Sequence, residues 1–246
     1  MKFENQVAVI AACGSQVGAA SALQHLKEGA KVAFYYEDDV RLELFKDLTE
    51  EEKSRLLTIR IQDYKDVEEL KKAAETVLEK FRTCDIVVTA ITTDERESGY
   101  SMSEEEYDRV MKTITNGALY TIQPLMPAMK EKKYGRIVLI SSVAGRTVLP
   151  GVAPVFAAAN AAIGGMARNI GCTMGTSFIT GNSVCVGPLE DGSYKTGAKV
   201  EPAGIEPGHE LGRLKDVAGA IEYFTSPLAS WLTGETLDLN GGYYMV

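Results

Sequence analysis

The sequence predicts an α/β fold, a parallel β-sheet covered by helices on both faces. Three observations carry that prediction. Short runs of consecutive apolar residues recur along the chain, as strands buried on both faces require. Longer stretches with helical start and stop signals separate them. The two alternate over the whole chain, the pattern of repeated strand–helix–strand crossovers. The chain has 246 residues, of which 45% are hydrophobic and 24% charged. That is enough for a large core without disulfides or metal.

The first apolar run is Val7 to Ala12. A helix follows to Lys27 and stops at Gly29, where glycine accepts a positive φ at little cost. Val32 to Tyr36 is the second run, Leu57 to Ile61 a weaker third and Asp85 to Val88 a strong fourth. Asp66 and Glu69 open the helix between the third and fourth, which reaches about Lys80. Ser103 and Glu106 form a capping-box pattern ahead of a long helix towards Lys132. Ile137 to Ile140 is the fifth run, followed by an alanine-rich helix over about Val155 to Met174. Ile179 to Val186 and Thr236 to Leu239 complete the strands. Between them, residues 187–212 hold Pro188, Gly192, Gly197, Pro202, Gly204, Pro207 and Gly208, which predicts a lid or binding loop.

Composition excludes several classes of function. With 26 Lys and Arg against 34 Asp and Glu, the net charge is −8. No basic stripe offsets it, so neither nucleic acid nor an anionic membrane surface is an expected partner. No apolar run approaches the length of a membrane span. The opening MKFENQVAVIAAC lacks the long apolar stretch of a secretory signal. Cys13, Cys84, Cys172 and Cys185 show no C-x-x-C spacing, and His25 and His209 are the only histidines, so no metal site is expected. The cysteine usage fits a reduced, cytoplasmic protein.

The segments VAVIAACGSQVGAASALQHLKEGAKVAFYY, DIVVTA, YGRIVLISSVAG, FAAANAAIGG and WLTGETLDLNGGYYM together resemble the short-chain dehydrogenase/reductase family. The resemblance covers nearly the whole chain. It implies one Rossmann-type domain over residues 1–246, doubly wound with seven strands. Its ligand would lie beyond the carboxyl ends of the strands, at the topological switch point. It also implies a homodimer or homotetramer built through the two long helices.

The family's functional motifs are altered. Its phosphate turn, T-G-x-x-x-G-x-G, has Ala11, Ala12, Gln16 and Gly18 at the motif positions. Gly18 keeps the close helix-to-strand packing, while Gly14 and Ser15 supply flexibility and N–H donors for an anion at the helix N-terminus. Thr89, Ala90, Ile91 and Thr92 stand where the family has N-N-A-G. Asp63 matches an adenine-contacting aspartate and reads equally well as a loop acid. Tyr36 and Glu37 end the second strand without an arginine, which favours NAD over NADP if a dinucleotide binds at all. Gly187 matches part of the family's proline-glycine turn, and Asp191 replaces the threonine that holds the nicotinamide amide.

The resemblance implies a catalytic Asn, Ser, Tyr and Lys. Here the positions hold Ile114, Ser142, Phe156 and Asn160. Phenylalanine has no proton to exchange, and a neutral amide cannot lower a neighbour's pKa as an ammonium does. This simultaneous loss predicts a catalytically reduced member, a pseudoenzyme binding a small molecule or a partner. An active paralogue in a mixed oligomer is one such partner. Two alternatives stand beside it. One is an NAD-dependent oxidoreductase with relocated acid–base groups, for which Tyr194, Lys195, Tyr100 and Arg146 are candidates. The other is a cofactor-independent lyase on the same scaffold.

Overall fold

The computed structural model describes residues 1–93, 101–149, 151–194 and 211–244. The strands are β1 (Val7–Cys13), β2 (Lys31–Tyr36), β3 (Leu56–Arg60), β4 (Ile86–Ile91), β5 (Gly135–Ser142), β6 (Ile179–Val186) and β7 (Thr236–Leu239). They form one seven-stranded sheet in the order β3-β2-β1-β4-β5-β6-β7, with every pairing parallel. The helices are α1 (Val17–Lys27), α2 (Glu50–Ser54), α3 (Val67–Phe81), α4 (Glu104–Ile122), α5 (Met126–Lys132), α6 (Pro154–Thr173) and α7 (Leu214–Thr225).

Alternation along the strands builds two cores. In β1, Val7, Val9 and Ala11 face the layer of α3, α4 and α6, whereas Ala8, Ile10 and Ala12 face the layer of α1 and α7. Both faces are dry, which explains the unbroken apolar runs. The predicted N-caps form, with one of the two capping-box bonds made at Ser103. Asp66 accepts from the N–H groups of Glu68 and Glu69, and the Ser103 hydroxyl accepts from Glu106 N–H. Gly29 takes φ +95° just past α1.

The helix read as running to Lys132 is in fact two. Pro124 and Pro127 remove N–H donors, so α4 ends at Ile122 and a 3₁₀ turn leads into α5. The short α2 and the amphipathic α7 are additional to the predicted helices, although Thr49 and Glu52 form a full capping box at the start of α2. Chain order reverses between β1 and β4, so their carboxyl ends form the crevice of a doubly wound sheet.

Candidate functional site

The crevice begins at the turn from β1 into α1. Gly14 lies at φ +74°, and a Cβ there would sit 2.4 Å from the Thr92 carbonyl oxygen. Only glycine lets this turn lie so close to the end of β4. A Cβ on Gly18 would come 2.5 Å from that of Ala12, so this glycine brings α1 onto its own strand. The buried Tyr64 hydroxyl donates to Ala12 O at 3.1 Å and steadies the strand end from the other layer. Gln16 stands at a motif glycine position but its side chain is held away from the turn. Its Nε2 donates to Val40 O at 3.0 Å, which draws the side chain aside. Ser15 is buried within the turn.

The N–H groups of this turn hold anions already. Gly14 N–H donates to Glu37 Oε1 at 2.9 Å, and Gln16 N–H donates to Asp191 Oδ2 at 3.2 Å. Arg41 donates to the same Glu37 oxygen from Nε at 3.0 Å and from Nη2 at 2.9 Å. A 3₁₀ segment, Asp39–Phe45, folds this guanidinium back onto the end of β2. Two outward-facing amides that carry carboxylate oxygens at a helix N-terminus are chemically suited to phosphate oxygens. On that observation the turn fits a dinucleotide. Burial first, and then the Glu37 carboxylate, push the Cys13 thiol up to about 12, so it is no nucleophile.

At the end of β5, Ser142 and Asn160 meet. Asn160 Oδ1 accepts from Ser142 N–H at 2.7 Å, and its Nδ2 donates to Phe156 O at 2.9 Å. The amide therefore braces helix α6 against the strand. Its group is fully engaged and buried, unlike a lysine reaching for a ribose. Phe156 is completely buried in the core. The Ser142 hydroxyl accepts from Ala144 N–H at 3.2 Å. Ile114 packs in the core on α4, and Asn116 is directed elsewhere, donating to Lys65 O.

The remaining candidates occupy the rim. Asp63 closes a local turn by accepting from Lys65 N–H at 2.8 Å, which is its loop-acid reading. Tyr36 stacks on Phe34 with ring centroids 6.1 Å apart. Ala90 is buried in β4 opposite Ala12. Gly187 directly follows β6, and a Cβ there would come 2.9 Å from Asn240 Cα. Tyr194 is 2% exposed and sits at φ +53° against the α1–α7 core. Lys195 and Tyr100 lie outside the described residues. Arg146 bridges to Asp238 on β7 at 3.0 Å. Among the described residues no cluster of His, Cys, Asp or Glu has the makings of a metal site. No helix among them is long and apolar enough to cross a membrane.

A family model described as enoyl-(acyl carrier protein) reductase matches residues 11–244. The chain belongs to the short-chain dehydrogenase/reductase family. This family member is 28% identical over 250 residues to the 3-oxoacyl-[acyl-carrier-protein] reductase FabG of Escherichia coli K12, covering all of both chains. It is 27% identical to the Staphylococcus aureus Mu50 protein of the same name, over 97% of this chain and 98% of that one. A double mutant of the Serratia marcescens short-chain dehydrogenase/reductase superposes with a TM-score of 0.85 at 25% identity, covering 99% of each chain. A blue fluorescent protein from a metagenomic library, solved with NADPH, shares the fold at a TM-score of 0.85 and 23% identity, over all of both chains.

These relatives correct the expectation of a pseudoenzyme. The proteins this short-chain dehydrogenase/reductase matches from end to end are named as reductases. The expectation equated the simultaneous loss of the family's Asn, Tyr and Lys with loss of turnover. The two jobs are separable, because the scaffold that positions a hydride donor and a carbonyl is distinct from the group that delivers a proton. The contacts of Glu37, Arg41 and Asp191 on the turn were not foreseen. The one sequence signal for Arg41 is its i+4 spacing from Glu37, and neither its fold-back nor the long-range approach of Asp191 is written locally.

Proposed function

We propose that this chain is a working oxidoreductase, an NADPH-dependent reductase of a carbonyl in a 3-oxoacyl thioester. The observation that carries the reading is the anion-holding turn of Gly14 and Gln16, set at the switch point of the sheet. The names of the full-length relatives supply the substrate class. Arg41 supports NADPH over the NAD that the end of β2 suggested. In this fold a nearby arginine accommodates the 2′-phosphate, and Arg41 reaches that strand end from four residues downstream.

A bound nicotinamide supplies a hydride to the carbonyl carbon. The protein must then orient the carbonyl oxygen and give it a proton. The Ser142 oxygen takes its hydrogen bond from Ala144 N–H, which leaves the hydroxyl proton to donate to a substrate oxygen. Asn160 and Gly145 hold that serine in place. A Cβ on Gly145 would come 2.6 Å from Ala161 N and push α6 off the strand end. Phe156 cannot supply the proton. We assign it to the Tyr194 phenol, which the fold keeps buried in a backbone conformation uncommon for a tyrosine.

Loss of NADPH absorbance with a 3-oxoacyl thioester tests the reading. Turnover is expected in the parent protein. Tyr194→Phe is expected to lower kcat by about a hundredfold or more, the usual weight of a general acid. Absence of turnover with either dinucleotide across 3-oxoacyl thioesters overturns the function. An unchanged kcat in Tyr194→Phe overturns only the assignment of the acid.

A further inference from the structure

We propose that the cavity between α6 and β7 is an oxyanion site, in which Arg146 and Arg168 hold a phosphate group. The cavity measures about 280 Å³. It stands apart from the β1–α1 turn, because β4, β5 and β6 lie between β1 and β7. Neighbouring strands are about 4.8 Å apart, so roughly 19 Å separates the two. Asn160, which braces Ser142 from its other side, is part of the cavity wall. The volume falls just below the range of pockets for drug-sized ligands, which fits a small anion and excludes a dinucleotide.

The charge of the lining selects the ligand. The chain has a net charge of −8, yet among the described residues this cavity is lined by two arginines and no acid. Arg146 is bridged to Asp238 through Nη2, and its guanidinium lies 5.3 Å from the centre of the Tyr244 ring, which fixes it at the wall. Its Nε is buried without a hydrogen-bond partner. Arg168 pairs with no acid among the described residues. A Cβ on Gly164 would lie 3.5 Å from Arg168 Nη1 and 3.7 Å from Thr236 Oγ1. That glycine leaves open the space on which a guanidinium and a hydroxyl converge, and Ser141 adds a second hydroxyl to the wall. One positive charge is left over after the Arg146–Asp238 pair, and an anion neutralises it. A guanidinium presents a planar fork of donors that matches phosphate oxygens two at a time. The donors come from α6, from the turn after β5 and from β7. Approach from three sides suits a tetrahedral oxyanion better than a planar carboxylate.

The test is calorimetric titration with inorganic phosphate at constant ionic strength, on the parent protein, Arg168→Gln and Arg168→Lys. Arg168 is exposed, so both variants are expected to fold, and circular dichroism checks this. The parent is expected to bind in the millimolar range, with Tm raised by about 3–5 °C at about tenfold excess over Kd. Arg168→Gln is expected to bind at least about tenfold more weakly, the weight of one charge-assisted bond. Arg168→Lys is expected to fall between the two, since an ammonium keeps the charge and loses the fork. Glycerol phosphate in the same titration separates the sources of the ligand. Comparable binding means that the site takes the phosphate end of a larger molecule, and binding of inorganic phosphate alone assigns the free ion. Either result supports the site. Unchanged phosphate binding in folded Arg168→Gln overturns it, and so does absence of binding by the parent at tens of millimolar.

Discussion

Arg41 places both of its contacts on one oxygen of Glu37, with only 15% of its side chain exposed. A guanidinium held so near the end of β2 has a specific consequence for cofactor choice. Arg41→Met is expected to weaken NADPH binding by about 2 kcal/mol, roughly thirtyfold, while NADH loses much less. Parallel titrations with the two dinucleotides read this directly, and equal losses for both refute the role. Single residues are where the sequence is least legible. Ser142 and Gly18 sit where motif spacing puts them, because their roles depend on local strand and turn geometry. Asn160 had a visible identity but a hidden role, since its partner Ser142 is 18 residues away. The Asp191 contact with Gln16 spans 175 residues and has no local signature.

At the scale of elements, strand cores are legible to within three residues at either end, the largest miss being β4, read to Val88 and running to Ile91, because burial on both faces demands apolar residues throughout. Helix ends are legible where a capping side chain or proline acts, as at Asp66 and Ser103. Packing between helices is not, and the α1–α7 contact shows why. His25 on α1 is fully buried, with Nδ1 donating to Ser21 O at 2.8 Å and Nε2 lying 3.0 Å from Thr225 Oγ1 on α7. Phe3 stacks on the ring at 4.6 Å. Glu222 of α7, itself paired with Lys2, is the charged neighbour and favours the protonated form. Burial outweighs it and holds the His25 pKa below its ordinary 6.5. The unfolded chain therefore binds the proton more readily than the folded one. Stability from this group is complete above pH 6.5 and falls as pH drops below it, by at most about 1.4 kcal/mol per pH unit for one proton. The expected outcome is a Tm that declines on acidification through pH 6, with a shallower decline in His25→Gln. Parallel Tm–pH curves for the two proteins contradict this account.

At the scale of the whole molecule, parallel topology follows from strand–helix alternation, and the family resemblance supplies the strand count. Assembly does not follow from either, because an interface is a property of two surfaces. The resemblance implies a homotetramer through α4 and α6, and the exposed side chains point to a second contact as well. Tyr107 and Leu119 on α4 are 47% and 41% exposed. Leu228 is 79% and Trp231 97% exposed in the segment between α7 and β7, the edge strand, which pairs on one side only among the described residues. Large apolar side chains left in water beside an open edge strand are costly and prone to association. Two separate patches are what a tetramer with two-fold symmetry requires, one for each kind of isologous interface. Light scattering is expected to give the mass of four chains. Trp231→Glu combined with Leu228→Glu is expected to reduce it to two, since the charge pair disrupts one interface and leaves the α4–α6 interface intact. A monomer mass for the parent at micromolar concentration refutes the assembly. A double variant that stays tetrameric shows that the β7 side is not an interface, and the second contact must then be sought elsewhere.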